Sequence, residues 1–305
     1  MFAVHRLLET NAVHSKGILG KGVGIAVIDT GIAPHPDFVK KRNRIVAHYE
    51  ISERRSSFQP YDDNGHGTHV AGIAAGDGYS SGGNYRGMAP DCHLISVRIL
   101  NRTGNGKMTD ILPAFTWILR HRYEYNIRIV NISIGCSSPE CFLDAEDSSL
   151  VHGVNELWDA GLVVVAAAGN EGPNPMSITA PGISRKIITV GASDDEAGLF
   201  TGRNRKNILY SGRGPTTSCI LKPDIVAPGN RIVSCRLSGG YTTKSGTSMS
   251  TPMVSGAIAL LLSRYPTMSN LEVKIRLKNS AVDLGLPHEH QGWGLLNVKR
   301  LIFRS

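Results

Sequence analysis

The sequence has no apolar run near the ~18 residues that a membrane-spanning helix needs. Its longest clean stretch, Met253 to Ser263, has the length of a core helix. Aromatic residues make up only 6% of the 305 residues, and they do not interleave with the two basic groups, Lys40-Lys41-Arg42 with Arg44 and Arg203 with Arg205-Lys206. A single-strand nucleic-acid surface needs that interleaving. The net charge of +8 therefore speaks to solubility and nonspecific attraction, and neither a nucleic-acid partner nor a membrane is expected. Five cysteines are too few for a disulfide scaffold, and an odd count leaves at least one unpaired within the chain. We expect free, semi-buried thiols at all five. Residues 1–20 carry His5, Arg6 and Glu9 and lack the roughly 7–15-residue apolar segment of a secretory signal.

What is present alternates between strand and helix. Val23–Ile28, Leu94–Ile99, Ile127–Ile134, Leu162–Ala168 and Lys186–Val190 are short, continuously apolar runs, the pattern of strands buried on both faces of a parallel sheet. Helical patterns lie between them. One runs from about Thr109, as its cap, to Tyr125 with Pro113 near the first turn. Another runs from Ser148 to Gly161, and a third follows the Ser269/Glu272 capping box. This is an α/β chain, a central, mainly parallel sheet with helices on both faces, and no linker or repeat divides residues 1–305. Two helices, His66–Ala75 and Ser248–Ser263, contain no Asp, Glu, Lys or Arg. Helices without a polar face are buried, and each of these begins with a reactive side chain.

Asp29 ends the first apolar run. His66 lies in Asn64-Gly-His-Gly-Thr-His69, and Ser248 in Ser245-Gly-Thr-Ser-Met-Ser-Thr-Pro252. Taken singly, these read as a turn, as a turn or a metal pair with His69, and as an N-cap with Pro in the first turn of its helix. Together they supply a nucleophile, a base and an orienting carboxylate. A serine hydroxyl attacks only when an imidazole takes its proton, and the imidazole needs a carboxylate to set its tautomer.

The segments that carry these residues resemble the subtilisin-like serine proteases, in particular the intracellular bacterial branch, over nearly the whole chain. Val27-Ile-Asp-Thr-Gly31, Gly65-His-Gly-Thr-His-Val-Ala-Gly72 and Gly246-Thr-Ser-Met-Ser-Thr-Pro252 look like the aspartate, histidine and serine motifs, in that family's order. The resemblance implies a three-layer subtilisin-like fold in one peptidase domain, 1–305. It implies a serine endopeptidase acting through an acyl-enzyme, with Asp29, His66 and Ser248 catalytic. Asn170, in Ala167-Ala-Gly-Asn170, would hold the oxyanion together with the Ser248 N–H. Ser133-Ile134-Gly135 and Gly104-Asn105-Gly106 would sandwich the extended substrate as an added strand, with the glycines permitting close approach. Ser133–Gly135 and Ala167, Ala168 and Gly169 would wall the pocket for the residue before the scissile bond. That slot is expected to be roomy and apolar, with Glu171 as the nearest charge and Cys136 at its rim. Met108, Ile111 and Ile134 would form a second apolar pocket.

Polypeptide substrates are the implied partners, with a prodomain or protein inhibitor as further ones. No cofactor is required for the chemistry. A structural calcium is weakly suggested by Asp37, Asp77 and Asn84, or by Asp194-Asp195-Glu196, because a tight site needs several charged oxygen ligands and Gly76–Arg86 offers few. The metal ligands are therefore left unknown. Only 28 residues precede Asp29, so neither a prodomain nor a signal peptide is visible. The cysteines suggest a cytoplasmic protein, the alternative being secretion with a prepro segment removed. Cys136 and Cys141 could pair, although their spacing fits no zinc ribbon. The alternative function is a catalytically silent binding or regulatory module. An α/β-hydrolase reading fails on triad order and on Ser250 where a glycine is required. Gly20-Lys-Gly-Val-Gly24 fails as a phosphate loop, because it precedes the strand.

Overall fold

A computed structural model describes residues 1–50, 59–135, 148–193 and 209–303, with the side chains of Met108 and Thr109 left aside. Its strands are β1 (Gly24–Asp29), β2 (Ile45–Glu50), β3 (His93–Arg98), β4 (Ile127–Ile132), β5 (Val163–Ala167), β6 (Ile188–Ala192), β7 (Ile225–Ala227), β8 (Ile232–Cys235) and β9 (Tyr241–Lys244). Helices are α1 (Phe2–Leu7), α2 (Thr10–His14), α3 (Pro36–Val39), α4 (His66–Ala75), α5 (Met108–His121), α6 (Ser149–Asp159), α7 (Thr247–Arg264), α8 (Asn270–Ser280), α9 (His288–Gln291) and α10 (Val298–Phe303).

Seven strands form a parallel sheet in the order β2-β3-β1-β4-β5-β6-β7, and β8 and β9 form a separate antiparallel pair. The five apolar runs of the sequence are β1, β3, β4, β5 and β6. β1 and β5 are buried at every position, as continuous hydrophobicity requires of strands covered on both faces. β2 escapes sequence reading because only Ile45 of its six residues is fully buried, so it shows no apolar run. β7 is three residues long, too short to carry a pattern.

Helices α4 and α7 pack together on one face of the sheet, and α5 and α6 pack together on the other. The uncharged helices are buried, as their composition implies: all of α4 but His66 is buried, and α7 is buried from Met249 through Leu262. Their small residues are needed where they touch. A Cβ on Gly256 would lie 2.4 Å from Met88 Cβ and 2.9 Å from the Ala74 carbonyl, and one on Gly72 would lie 2.3 Å from Ser234 Oγ. The helix ends differ in detail from expectation. Lys107, not Thr109, precedes α5, and Pro113 and Pro252 lie inside their helices rather than in the first turn. The Ser269/Glu272 capping box is present, with both reciprocal bonds formed.

β1 is flanked by β3 on one side and β4 on the other. Open parallel sheets place their sites at such a switch, outside the carboxyl ends of the strands. Asp29 is the last residue of β1, and Ser133 follows the last residue of β4.

Candidate active site

The structure brings Asp29 and His66 into contact. His66 Nδ1–H donates to Asp29 Oδ1 at 2.7 Å, with Oδ2 at 2.9 Å. Asp29 is fully buried, and its Oδ1 also accepts the Thr30 N–H at 2.8 Å. With Nδ1 committed to the carboxylate, Nε2 carries the lone pair that faces the cleft, as a general base requires. Burial works against a charged imidazole, but the charge and hydrogen bond of Asp29 outweigh it, so the His66 pKa is raised above its ordinary value. The metal pair with His69 is closed off. His69 Nε2 is bonded to the Ile232 and Thr242 carbonyls at 3.1 Å, and burial lowers its pKa to about 4.

Asp62 builds the approach to His66. Its Oδ1 accepts the Asn64 and Gly65 N–H groups, and its Oδ2 accepts the N–H and hydroxyl of Thr68. This carboxylate caps α4 where Gly65, at the N-cap position, has no side chain to do so. The turn at Asn64-Gly65 agrees with the sequence, whereas the capping role of Asp62 depends on its contact with Thr68.

Ser248 lies in the first turn of α7, second after the Gly246 cap rather than itself the cap. Its hydroxyl donates to the Ser133 carbonyl at 2.8 Å, so a rotation of the side chain precedes any bond to His66. Catalytic hydrogen bonds often tighten only with substrate bound. Asn170 is exposed, with its Oδ1 held by the Thr247 N–H at 3.0 Å and the Thr247 hydroxyl at 3.2 Å. Fixing the oxygen leaves Nδ2 as the donor beside the helix N-terminus. There the Ser248 N–H is, by position, one of the groups a helix leaves without an internal acceptor.

These groups open into a cleft of ≈ 730 Å³ lined by His66, Ser248, Ser133, Ile134, Gly135, Gly104, Asn105 and Gly106, together with Asn64, Ile99, Leu100 and Ile111. Both substrate-binding segments thus face the site. The need for glycine is partly internal to the protein: Gly104 has φ +80°, and a Cβ on Gly106 would meet the Ile99 carbonyl at 2.9 Å. Ala167, Ala168 and Gly169 do not line this cleft and are buried. Thr179 packs against them, its N–H donating to the Ala168 carbonyl at 3.1 Å. Its Oγ1 would be 2.5 Å from a Cβ on Gly169 and 3.4 Å from one on Gly135, and it has no hydrogen-bond partner among the described residues. Glu171 is exposed, and Lys107 lines the cleft. Cys136 and Cys141, the 194–196 acidic turn, the basic group at 203–206 and the Met108 side chain lie outside the described residues.

The calcium residues do not converge on a site. Asp37 is fully buried, and its carboxylate accepts the Ser80 N–H and the Tyr241 hydroxyl. Asp77 accepts the Tyr79 N–H and lies 3.4 Å from Lys41 Nζ, while Asn84 donates to the Ser81 carbonyl. Ligand atoms of His35, Asp37 and Cys235 come within 4.8 Å of one another, but His35 Nδ1 accepts the Asp37 N–H and its Nε2 meets the Gly240 carbonyl. The set is a satisfied hydrogen-bond network with no orphaned ligand atom to call for a cation. Of the described cysteines, Cys92 and Cys235 are buried and Cys219 is exposed, all three free, so the semi-buried expectation fails at each. Burial pushes the Cys92 thiol up to about 12. Among the described residues, no helix is long and apolar enough to cross a membrane.

Residues 20–294 match the profile of the subtilase family. The chain is 41% identical over 302 residues to serine protease AprX of Bacillus subtilis, covering 90% of this chain and 67% of that one. It is 34% identical over 292 residues to subtilisin Savinase of Lederbergia lenta, covering 96% and 95%. Among solved structures it resembles a cold-adapted subtilisin-like serine proteinase, with TM-score 0.71, 28% identity and coverage of 92% of this chain and 90% of that one. On the motifs, the parallel sheet that seats them and these likenesses, the chain belongs to the subtilase family of serine proteases.

Proposed function

We propose that residues 1–305 act as one peptidase unit that cleaves polypeptides internally, with Ser248 as nucleophile, His66 as general base and acid, and Asp29 as the group that orients His66. The observation that carries this reading is the buried Asp29 carboxylate bonded to His66 Nδ1 at 2.7 Å, in a cleft that also exposes Ser248. A substrate strand laid between Ser133–Gly135 and Gly104–Gly106 would offer an N–H to the Ser133 carbonyl. That competition frees the Ser248 hydroxyl to turn to His66. Attack on the scissile carbonyl then places negative charge within reach of Asn170 Nδ2 and the Ser248 N–H, at the positive end of α7. The acyl-enzyme forms as His66 returns the proton to the leaving amine, and water reverses the sequence. A serine-directed phosphonate should label the protein once, at Ser248. Absence of labelling would favour the catalytically silent module.

The pocket reading is that cleavage follows apolar residues, with Thr179 limiting how large they can be. Ile111 and Ile134 in the cleft lining support an apolar preference further upstream. Thr179→Gly should raise kcat/KM for phenylalanine relative to alanine before the scissile bond by ~10-fold or more, since each methylene of pocket space discriminates by about that much. An unchanged ratio would remove Thr179 from the pocket. A prodomain or protein inhibitor would use the same strand-pairing edges. The three free thiols support the cytoplasmic placement over the secreted one; two disulfides in a non-reducing thiol count would contradict it. The chemistry needs no cofactor.

A further inference from the structure

Arg98 ends β3 and is fully buried. It stands in register with Asp29 on one side and Glu50 on the other, so a cation lies between two carboxylates across β1, β3 and β2. Among the described residues its guanidinium donates to three groups. Nε–H goes to Glu50 Oε1 at 3.1 Å, and Nη1–H goes to Asp63 Oδ1 at 2.8 Å and to the Thr30 carbonyl. Its plane lies over the Tyr61 ring, 4.5 Å from the centroid, and Tyr61 in turn donates to Glu50.

Two of these partners adjoin the reacting groups. Thr30 follows Asp29, gives its N–H to Asp29 Oδ1, and accepts the Gly67 N–H through its hydroxyl at 2.9 Å. Asp63 lies in the turn that leads into His66. The Asp29 segment and the His66 segment are thus joined outside their own contact through the Thr30 hydroxyl to Gly67, through the Gly31–Asp62 bridge, through the Ala33 N–H to the Thr68 hydroxyl, and through Arg98 to Asp63. A buried guanidinium is costly to desolvate and is retained where its rigid fork fixes several acceptors at once.

We propose that Arg98 is a positioning residue for the Asp29–His66 pair, clamping the Thr30 carbonyl to Asp63 so that the carboxylate and imidazole meet in line. The proposal rests on the triad reading above and deepens it. The clamp touches no substrate and acts on turnover rather than on binding. A misplacement of about 1 Å in a catalytic group can cost ~10²-fold, so a partial loosening costs less.

Lysine keeps the charge but cannot reach the carbonyl and carboxylates together. Arg98→Lys should lower kcat ~10-fold with KM within about twofold. Asp63→Ala removes one arm of the clamp at a partly exposed side chain and should lower kcat ~3-fold or more; it decides the matter if Arg98→Lys does not fold. The double variant should lose little more than Arg98→Lys alone, since both cut one link. The low-field proton resonance of His66 Nδ1–H should shift or broaden in each folded variant, a change that loss of stability elsewhere does not produce. Wild-type labelling by a phosphonate, read first, tests the triad reading independently. If folded Arg98→Lys and Asp63→Ala both keep kcat within twofold of a labelled wild type, or leave the imidazole resonance unmoved, the clamp is wrong while the triad stands.

Discussion

Ser248→Ala should lower turnover by at least ~10⁴ and leave the fold intact. The loss is large because the hydroxyl is the atom that bonds to the substrate; what survives is the rate due to binding and oxyanion donors acting on water. The fold should tolerate the change. Ser248 is only partly buried, and its hydroxyl bonds a carbonyl, Ser133, that faces the cleft and can accept water instead. Alanine is also the better helix former within the first turn of α7. Peptide hydrolysis by the variant, measured with its melting temperature, checks both halves. Hydrolysis at the wild-type rate would place the nucleophile elsewhere.

Asp29→Asn should lower turnover by ~10⁴ as well, by a different route. The amide fills the same space and can still accept the Thr30 N–H, but it turns an N–H group toward His66. The imidazole then places its proton on Nε2, facing Ser248, and cannot take another. The pH dependence separates the two substitutions. In the wild type the base must be neutral, so kcat/KM should rise with pH through a midpoint above the ordinary histidine value of about 6.5, because Asp29 holds the His66 pKa up. The stabilisation from that pair runs oppositely: it is full below the unfolded histidine pKa and is lost as pH rises through the raised folded one. With Asp29 replaced, burial acts alone and should carry the His66 pKa below its ordinary value. A titration of the His66 Cε1–H resonance reads this directly. The same midpoint in both proteins would show that Asp29 does not govern His66.

The triad was legible because each member sits in its own short segment: a strand end after five buried apolar residues, and the starts of two helices without charge. Asn170 and the two cleft segments were read from the family resemblance instead. The pocket for the residue before the scissile bond was read from its walls alone. Thr179 belongs to neither wall segment and fills the space between Gly135 and Gly169. The calcium reading also followed residue type. In the fold, Asp37 turns inward to Tyr241, a residue on β9 that nothing near Asp37 in the chain announces.

Hydrophobic runs, caps and uncharged helices are local patterns, and they determined by themselves the α/β class, five of the seven sheet strands, the two buried helices and the chemical identity of the site. Strand order, the register that sets Arg98 between Asp29 and Glu50, the hold of Thr247 on Asn170 and the intrusion of Thr179 were decided only by the tertiary structure. The reason is physical. Each of these depends on groups far apart in the chain, such as Arg98 and Thr30, 68 positions apart. Such contacts arise only after a buried charge or hydroxyl has taken whichever partner the packed core leaves within reach.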